Sequence, residues 1–245
     1  MILNISTYRF TPLDSLPELR ESIHAKCLEK NLKGTVLIAH EGINMFLAGT
    51  EQNIKAFFDW FRTIPSFAGI ETKDSWSDDQ PFKKMLVKIK DEIIRMNHPS
   101  VQPSKARAPS VAPKKLQEWL RQGHDDAGRP VVLLDTRNDF EVGYGTFDGA
   151  IHFNIQKFSD FPDAIIAHKD EFKDKTVVSF CTGGIRCEKA NILMNEIGLN
   201  NTVQLDGGIL KYFEEVGREH YHGDCFVFDG RESLDPELSE QHHHR

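Results

Sequence analysis

The residues best suited to chemistry in this sequence form the stretch Cys181-Thr182-Gly183-Gly184-Ile185-Arg186. An apolar run at 176–180 predicts a buried strand before it, and a helical pattern at 189–197 follows it. Backbone N–H groups at the start of that helix, and a loop that its two glycines allow to curl, favour an anion beside the sulfur. Arg186 adds a positive charge. We therefore predict a lowered pKa for Cys181, which makes it a thiolate, the nucleophilic form of cysteine.

An alternative interpretation of this stretch is a buried structural cysteine followed by an ordinary Gly-Gly turn, as holds for most isolated cysteines. The predicted strand, loop and helix, together with Arg186, favour the reactive interpretation. Cysteine phosphatases place five residues between cysteine and arginine, whereas four separate Cys181 from Arg186. The tighter ring suits one extra sulfur on the cysteine, a persulfide, better than a tetrahedral phosphate. A phosphatase is therefore the least favoured enzyme class.

A second thiol, Cys187, lies at the predicted start of the helix after the loop. It could form a disulfide with an oxidised or sulfur-carrying Cys181 and so act as a resolving cysteine. Burial between helix and sheet is the alternative, because free cysteines are often packed in cores. Both interpretations stay open at this point.

His220, His222 and Cys225 lack a fourth zinc ligand in the local sequence, so we predict no metal site.

The composition is that of an ordinary globular protein. The chain has 245 residues, 39% hydrophobic and 27% charged, which is enough for two domains. Its four cysteines are too few for a disulfide scaffold, no apolar run is long enough to span a membrane, and the first residues lack the features of a signal peptide. We therefore expect a cytoplasmic protein with no membrane partner. The net charge of −7 restricts any contact with nucleic acid to a local basic patch.

The predicted elements of residues 1–97 begin with the order β-α-β-β-α-β, which is typical of a ferredoxin-like or acylphosphatase-like α+β domain. Strands are predicted at 2–10, 35–39, 43–48, 67–73 and 85–95, and helices at 14–32 and 50–61. His40-Glu41 lies in a turn, where both side chains are expected to be solvated. Basic side chains along or near the last strand are the best candidates for a phosphate-backbone contact in this domain: Lys83, Lys84, Lys88, Lys90 and Arg95.

Residues 98–112 are rich in proline and basic side chains, which predicts a linker. In residues 113–225, apolar strands alternate with helical patterns, and this alternation predicts an α/β domain with a doubly wound parallel sheet. Ligands of such sheets bind beyond the carboxyl ends of the strands, where Cys181 lies.

Residues 226–245 are predicted to be a C-terminal extension with His242-His243-His244 as a flexible polar tail. No Gly-x-Gly-x-x-Gly fingerprint of a flavin or nicotinamide cofactor is evident.

Several stretches of the second domain together resemble rhodanese domains: Leu134-Asp135-Thr136-Arg137, Gly149-Ala150-Ile151-His152, the Cys181 loop and Leu205-Asp206-Gly207-Gly208-Ile209. Three longer stretches resemble a narrower family, the rhodanese-domain-containing bacterial tRNA uridine hydroxylases: Gly34 to Asn44, Cys181 to Ala190, and Cys225 to Asp229. This resemblance spans nearly the whole chain and includes the domain order. Longer members of that family continue into a cysteine-rich tail, which this sequence lacks.

The resemblance implies a tRNA-modifying oxidoreductase that hydroxylates the wobble uridine of tRNA at C5, with tRNA as partner and molecular oxygen as co-substrate. It makes Cys181 the catalytic residue and Thr182 to Arg186 the loop around it. No flavin, nicotinamide or metal cofactor is evident beside the oxygen. The alternative function is a rhodanese-type sulfurtransferase, which takes sulfur from a donor protein or a small thiol as a Cys181 persulfide. A non-enzymatic RNA or protein adaptor is the third hypothesis.

Overall fold

The computed structural model describes residues 1–105 and 107–241, and these divide into two units. The first unit comprises Met1–Arg95 together with Phe228–Glu232, and the second comprises Met96–Val227 together with Ser233–Gln241. The predicted linker therefore belongs to the second unit, and part of the predicted C-terminal extension belongs to the first. Residue 106 and residues 242–245, which include the predicted histidine tail, lie outside the described residues.

The first unit contains one five-stranded sheet and two helices. The strands are β1 (Ile2–Phe10), β2 (Lys33–Ala39), β3 (Gly42–Gly49), β4 (Lys73–Ser77) and β5 (Met85–Ile89), and the helices are α1 (Leu16–Glu29) and α2 (Glu51–Phe61). The sheet order is β4-β1-β3-β2-β5. The pairs β4–β1, β1–β3 and β3–β2 are antiparallel, whereas β5 runs parallel to β2. This is the predicted ferredoxin-like arrangement with one strand added at the β2 edge.

Helix α2 shows how the sequence forms the core of this unit. Its apolar side chains recur at helical spacing and are buried in the cluster that also contains the sheet residues: Ile54, Phe57, Phe58 and Phe61. Thr50 begins the helix as its N-cap, because its side-chain oxygen accepts a hydrogen bond from the backbone N–H of Asn53.

Two strand predictions for the first unit are wrong in their bounds. Residues 67–73 do not form a strand, because Pro65–Phe67 is a short 3₁₀ helix and β4 begins at Lys73. The Phe67 ring stacks on Phe61 with 4.4 Å between the ring centroids, so packing against the core outweighs the strand propensity of this stretch. The strand predicted at 85–95 ends at Ile89. Of the two side chains in the turn, His40 is exposed, whereas Glu41 is half-buried and its Oε1 accepts a 2.7 Å hydrogen bond from the backbone N–H of Ile93.

Residues 228–232 join the first unit through hydrogen bonds that no local pattern predicts. The buried Arg231 side chain forms a two-pronged ion pair with Asp229, with nitrogen–oxygen distances of 2.6 and 2.8 Å. Its Nη1 also donates to Ser75 Oγ at 2.7 Å. The backbone N–H of Gly230 donates to the carbonyl oxygen of Pro81 at 3.1 Å. These contacts explain why this segment belongs to the first unit, although the second unit lies on either side of it in sequence.

The second unit is built on a five-stranded sheet of order β6-β11-β10-β7-β9, in which every neighbouring pair is parallel. Its strands are β6 (Ser110–Val111), β7 (Val131–Asp135), β8 (Gly145–Phe147), β9 (Ile151–His152), β10 (Thr176–Phe180), β11 (Thr202–Leu205), β12 (Tyr221–Gly223), β13 (Cys225–Phe226), β14 (Ser233–Leu234) and β15 (Glu240–Gln241). The helices are α3 (Pro113–Gln122), α4 (Asp139–Val142), α5 (Phe161–His168), α6 (Ile185–Glu196) and α7 (Gly208–Glu215), with 3₁₀ helices at Phe158–Asp160 and Lys169–Phe172.

The proline-rich segment predicted to be a linker contains the edge strand β6. The backbone N–H of Gln204 donates to the carbonyl oxygen of Pro109 at 2.9 Å, and that of Asp206 donates to Val111 at 2.9 Å. Prolines are tolerated at a sheet edge, where no donor is needed on the outer side. The proline content therefore indicates an edge position here as well as a connection between domains.

The central strand β10 delivers Cys181 to the carboxyl edge of the parallel sheet. All five residues of β10 are buried, and it lies between β11 and β7. Its Val178 and Phe180 pack in a core with Phe147 of β8 and with Ile209 of α7. None of the helices in the described ranges combines the length and apolar character needed to cross a membrane.

Candidate active site

Cys181 directly follows β10, and its side chain is fully buried. The chain after it turns into α6 through Gly184, whose φ of +99° lies in the left-handed region that favours glycine. The backbone N–H of Gly184 donates a 3.1 Å hydrogen bond to Cys181 Sγ, and the backbone N–H of Arg186 also donates to this sulfur. Two amides at the start of a helix therefore surround the sulfur, an arrangement that stabilises an anion.

The pKa of Cys181 is lowered to about 5. Burial by itself raises this pKa, but four other effects outweigh it: a hydrogen bond from the Cys187 thiol, the charge of Arg186, and the backbone amides of Arg186 and Gly184. Burial and the contact with Cys181 raise the pKa of Cys187 well above that of an ordinary thiol. At neutral pH the pair of sulfurs thus carries one proton. This proton is on Cys187, and Cys181 is the thiolate.

The pH dependence of the thiolate provides a direct test. Because the pKa of Cys181 is lowered, the thiolate predominates above about pH 5 and is protonated below it. Burial raises the pKa of Cys27 and of Cys225 to about 12, so neither contributes in this range. We expect the ultraviolet absorbance of thiolate to fall in one step centred near pH 5, and we expect Cys181→Ser to lack that step. A midpoint near the ordinary value of 9.0 would contradict the geometry.

Cys187 is fully buried, yet polar groups surround its sulfur. Thr136 Oγ1 lies 3.7 Å from Cys187 Sγ. The Asn191 amide donates to the Cys187 carbonyl oxygen at 2.9 Å and to Ser179 Oγ at 2.7 Å. Cys187 therefore lies inside the domain and also in contact with Cys181, and its role as a resolving cysteine stays a prediction.

Arg186 is held by a carboxylate that the sequence analysis did not identify. Its Nη1 and Nη2 donate to the two carboxylate oxygens of Glu141 at 2.6 and 2.7 Å, and both side chains are buried. This pairing raises the pKa of Arg186 despite the opposing effect of burial. Glu141 is fixed in turn by the backbone N–H of Asn138, which donates to its Oε2 at 3.1 Å in a capping box at the start of α4. In the sequence, the spacing of Asn138 and Glu141 is a signal for the start of a helix. It does not indicate that Glu141 pairs with Arg186.

A second buried ion pair fixes the chain just before α4. The fully buried guanidinium of Arg137 binds Asp135 at 2.6 and 2.9 Å, and its Nη2 donates to the carbonyl oxygen of Gly145 at 2.6 Å. Thr146 Oγ1 donates to Asp135 Oδ2 at 2.8 Å. These bonds connect the end of β7 with β8, and they hold the segment that carries Glu141 from both sides.

Helix α7 fixes the outer side of the Cys181 loop. The backbone N–H groups of Ile209 and Leu210 donate to the carbonyl oxygens of Cys181 and Thr182 at 3.0 and 3.1 Å. Because a trans peptide points its N–H opposite to its carbonyl, the amides of those two peptides point away from α7. Gly208 has a φ of +68°, and a Cβ there would lie 2.4 Å from the Cys181 carbonyl oxygen. Glycine is thus required at 208, a role that the resemblance alone did not assign.

Substitution of Gly208 is expected to displace the loop. Gly208→Ala combines a strained backbone with a backbone clash, and we expect it to reduce thermal stability by about 1–3 kcal/mol and to raise the pKa of Cys181. The matched control is Gly123→Ala, where φ is +79° and an added Cβ meets nothing within 4 Å. Thermal unfolding and the thiolate titration measure both effects. If the two variants behave alike, α7 does not position the loop.

The other predicted candidates lie as follows. Lys83 and Lys84 are exposed just before β5, an edge strand of the first sheet. Lys88 is exposed on this strand, and Lys90 and Arg95 are exposed after it. Cys225 is fully buried, and His222 Nδ1 lies 3.0 Å from Asp148 Oδ1. Among residues 1–105 and 107–241, no group of three or more His, Cys, Asp or Glu side chains is arranged to hold a metal ion.

Comparisons with known proteins match each half of the chain to a domain family. A family described as UPF0176 acylphosphatase like domain matches residues 2–93, and one described as Rhodanese-like domain matches residues 113–215. These matches confirm the two predicted fold classes.

Full-length relatives are similar over nearly the whole chain. The tRNA uridine(34) hydroxylase of Variovorax paradoxus is 59% identical over 238 residues, which cover 97% of this chain and 90% of the relative. The proteins of the same name from Cupriavidus pinatubonensis and Cupriavidus necator are 59% identical over 237 residues, covering 97% of this chain and 84% of each relative. The chain belongs to the tRNA uridine(34) hydroxylase family.

Proposed function

We propose that this protein hydroxylates uridine 34 of tRNA. The observation that carries the proposal is the 59% identity, over 97% of the chain, to a protein named tRNA uridine(34) hydroxylase. Because the net charge is −7, contact with the phosphate backbone needs a local positive surface. The exposed lysines on and next to β5 supply such a surface. The protein acts in the cytoplasm, and tRNA is its macromolecular partner.

The proposed reaction replaces the C5–H bond of the uridine with a C5–OH bond and gives 5-hydroxyuridine. Molecular oxygen is the oxidant, with one atom entering the product and the other leaving as water. This balance consumes two electrons and two protons. Two thiol groups supply both when they are oxidised to a disulfide, so two molecules of a small thiol, or two thiols of a sulfur-donor protein, balance the reaction as co-reactant.

Cys181 is the proposed catalytic residue, and residues 182–186 form the loop that holds its sulfur as an anion. The thiolate is the form that attacks a sulfur donor, and the lowered pKa supports its presence at neutral pH. The Cys181 sulfur has no exposed surface, whereas Thr182, Gly183 and Ile185 are half-exposed at the loop rim. A persulfide on Cys181 would carry the reacting atom one bond farther from the backbone than the thiolate does.

Sulfur transfer is the second candidate function, favoured by the thiolate at Cys181 and by the rhodanese-like match. In that reaction the thiolate takes the outer sulfur of thiosulfate and releases sulfite. The persulfide then passes its outer sulfur to cyanide, which becomes thiocyanate, and the thiolate is restored. Rapid turnover of thiosulfate and cyanide, without any effect on tRNA nucleosides, would favour this function.

The test of the proposed function is nucleoside mass spectrometry of tRNA. The host is a bacterium that lacks its own family member and has no other route to 5-hydroxyuridine. We expect 5-hydroxyuridine and its derivatives to be absent with an empty vector and restored when this chain is expressed. Unchanged nucleosides in cells that accumulate the folded protein would overturn the proposal.

A further inference from the structure

Three aromatic rings form a cluster in the second unit, defined here as the ring cluster of Phe140, Tyr144 and Phe226. The Phe226 ring centroid lies 5.1 Å from that of Phe140, with the planes at 86°, and 5.2 Å from that of Tyr144. Phe140 is 50% exposed, and the other two rings are half-buried. The cluster therefore leaves part of its aromatic surface open to a ligand.

Two connections place the segments that carry the ring cluster next to the Cys181 loop. Thr182, the residue after Cys181, donates from Oγ1 to the carbonyl oxygen of Phe226 at 3.4 Å. Phe140 lies next to Glu141 on α4, and Glu141 binds Arg186 of the same loop at 2.6 and 2.7 Å. The cluster therefore approaches the loop from two separate elements, α4 and β13.

We propose that Phe140 and Phe226 form a stacking platform for the nucleobase that enters the site from the anticodon loop of tRNA. This inference rests on the proposed function and names the part of the protein that receives the base. Bases of single-stranded RNA loops can be splayed out and stacked on aromatic side chains. A base that undergoes chemistry is taken out of its own stack, and a stacking partner in the enzyme offsets part of that loss.

The chemistry of the cluster favours the face of a base over a charged or extended peptide ligand. The two phenylalanine rings carry no charge and no hydrogen-bonding group, so they contact a flat π surface without regard to its edge. Stacking of this kind tolerates every base. The choice of uracil then falls to groups that contact the edge of the base. The half-exposed Thr182 hydroxyl donates to the Phe226 carbonyl oxygen, and its own oxygen still accepts a hydrogen bond from such an edge.

Phe140 is the residue to test, because its ring is half-exposed and it is not part of the core cluster of this unit. We expect Phe140→Ala to weaken binding of an anticodon stem-loop RNA about fivefold or more, and Phe140→Tyr to bind as the wild type does, because tyrosine keeps the ring. Ile166→Ala is the matched control, since Ile166 is 47% exposed on α5 and its truncation should leave binding unchanged. The same RNA with 5-iodouridine at position 34 should photocrosslink to Phe140 or Phe226.

The outcomes separate this inference from the proposed function. Restored 5-hydroxyuridine in cells, together with equal RNA affinity of wild type and Phe140→Ala, would overturn the stacking platform and leave the proposed function intact. A crosslink that maps only to other residues would also overturn it. Failure of the wild type to restore the nucleoside removes both. Loss of affinity in Phe140→Ala but not in Phe140→Tyr or Ile166→Ala, with unchanged thermal unfolding, supports the platform.

Discussion

Cells that carry Cys181→Ser as their only copy of this protein are expected to lack 5-hydroxyuridine in their tRNA. Serine has nearly the size of cysteine, but its hydroxyl is neither ionised at neutral pH nor able to carry sulfur. The amides of Gly184 and Arg186, and the hydrogen bond from Cys187, would then surround a neutral oxygen. Loss of an essential nucleophile lowers turnover by about 10³-fold or more, which is below detection in cellular tRNA.

Nucleoside mass spectrometry of the complemented deletion strain measures this effect. The matched control is Cys225→Ala, because Cys225 is equally buried in the same unit and burial raises its pKa to about 12, so it is a neutral thiol. We expect the control to keep the modification. Normal levels of 5-hydroxyuridine with Cys181→Ser would show that the thiol is dispensable, and would move the adaptor hypothesis to first place.

Removal of the Glu141 carboxylate is expected to have the largest effect on stability. Glu141→Ala leaves the buried Arg186 guanidinium without its counter-charge, and breaking one partner of a buried ion pair costs about 3–5 kcal/mol. The backbone N–H of Asn138 loses its acceptor as well. Glu141→Gln keeps the shape and one acceptor oxygen, so it should lose less stability than the alanine variant.

Chemical unfolding measures the stability, and the thiolate titration tests whether Glu141 also positions Arg186. We expect both variants to raise the midpoint of the Cys181 titration, because the charge of a well-oriented Arg186 contributes to the lowered pKa. The matched control is Arg121→Ala, which breaks an equally short pair with Glu219 at the surface. Water and salt screen that pair, so little stability should be lost. Equal losses in Glu141→Ala and Arg121→Ala would contradict a structural role for the buried pair.

The pairing of Arg186 changes how the loop attracts an anion. In the sequence Arg186 is an added positive charge, whereas in the structure it is paired with Glu141 at 2.6 and 2.7 Å. Its charge still lowers the Cys181 pKa, together with the hydrogen bond from the Cys187 thiol and the backbone amides of Arg186 and Gly184. The thiol and the amides are neutral dipoles held in place, so they stabilise a small anion at one point without attracting phosphate from a distance.

The two domain classes and the place of Cys181 after a buried strand can be predicted from the sequence. Both follow from local patterns: the apolar run of β10 predicts a buried strand, the helical spacing after the loop predicts α6, and Gly184 permits the left-handed turn between them. A nucleophile at the carboxyl edge of a parallel sheet follows from the same alternation of strands and helices. Each of these inferences needs only residues that are near one another in the chain.

The surroundings of the sulfur depend on contacts between residues that are far apart in the chain. Glu141 meets Arg186 from 45 residues away, Gly208 packs against the Cys181 carbonyl, and Phe226 reaches the loop at Thr182. Periodicity cannot encode such contacts, because it reports which face of an element is apolar and not which element that face meets. The choice of partner depends on how the sheet and its helices pack, and the local spacing of residues carries no record of that packing.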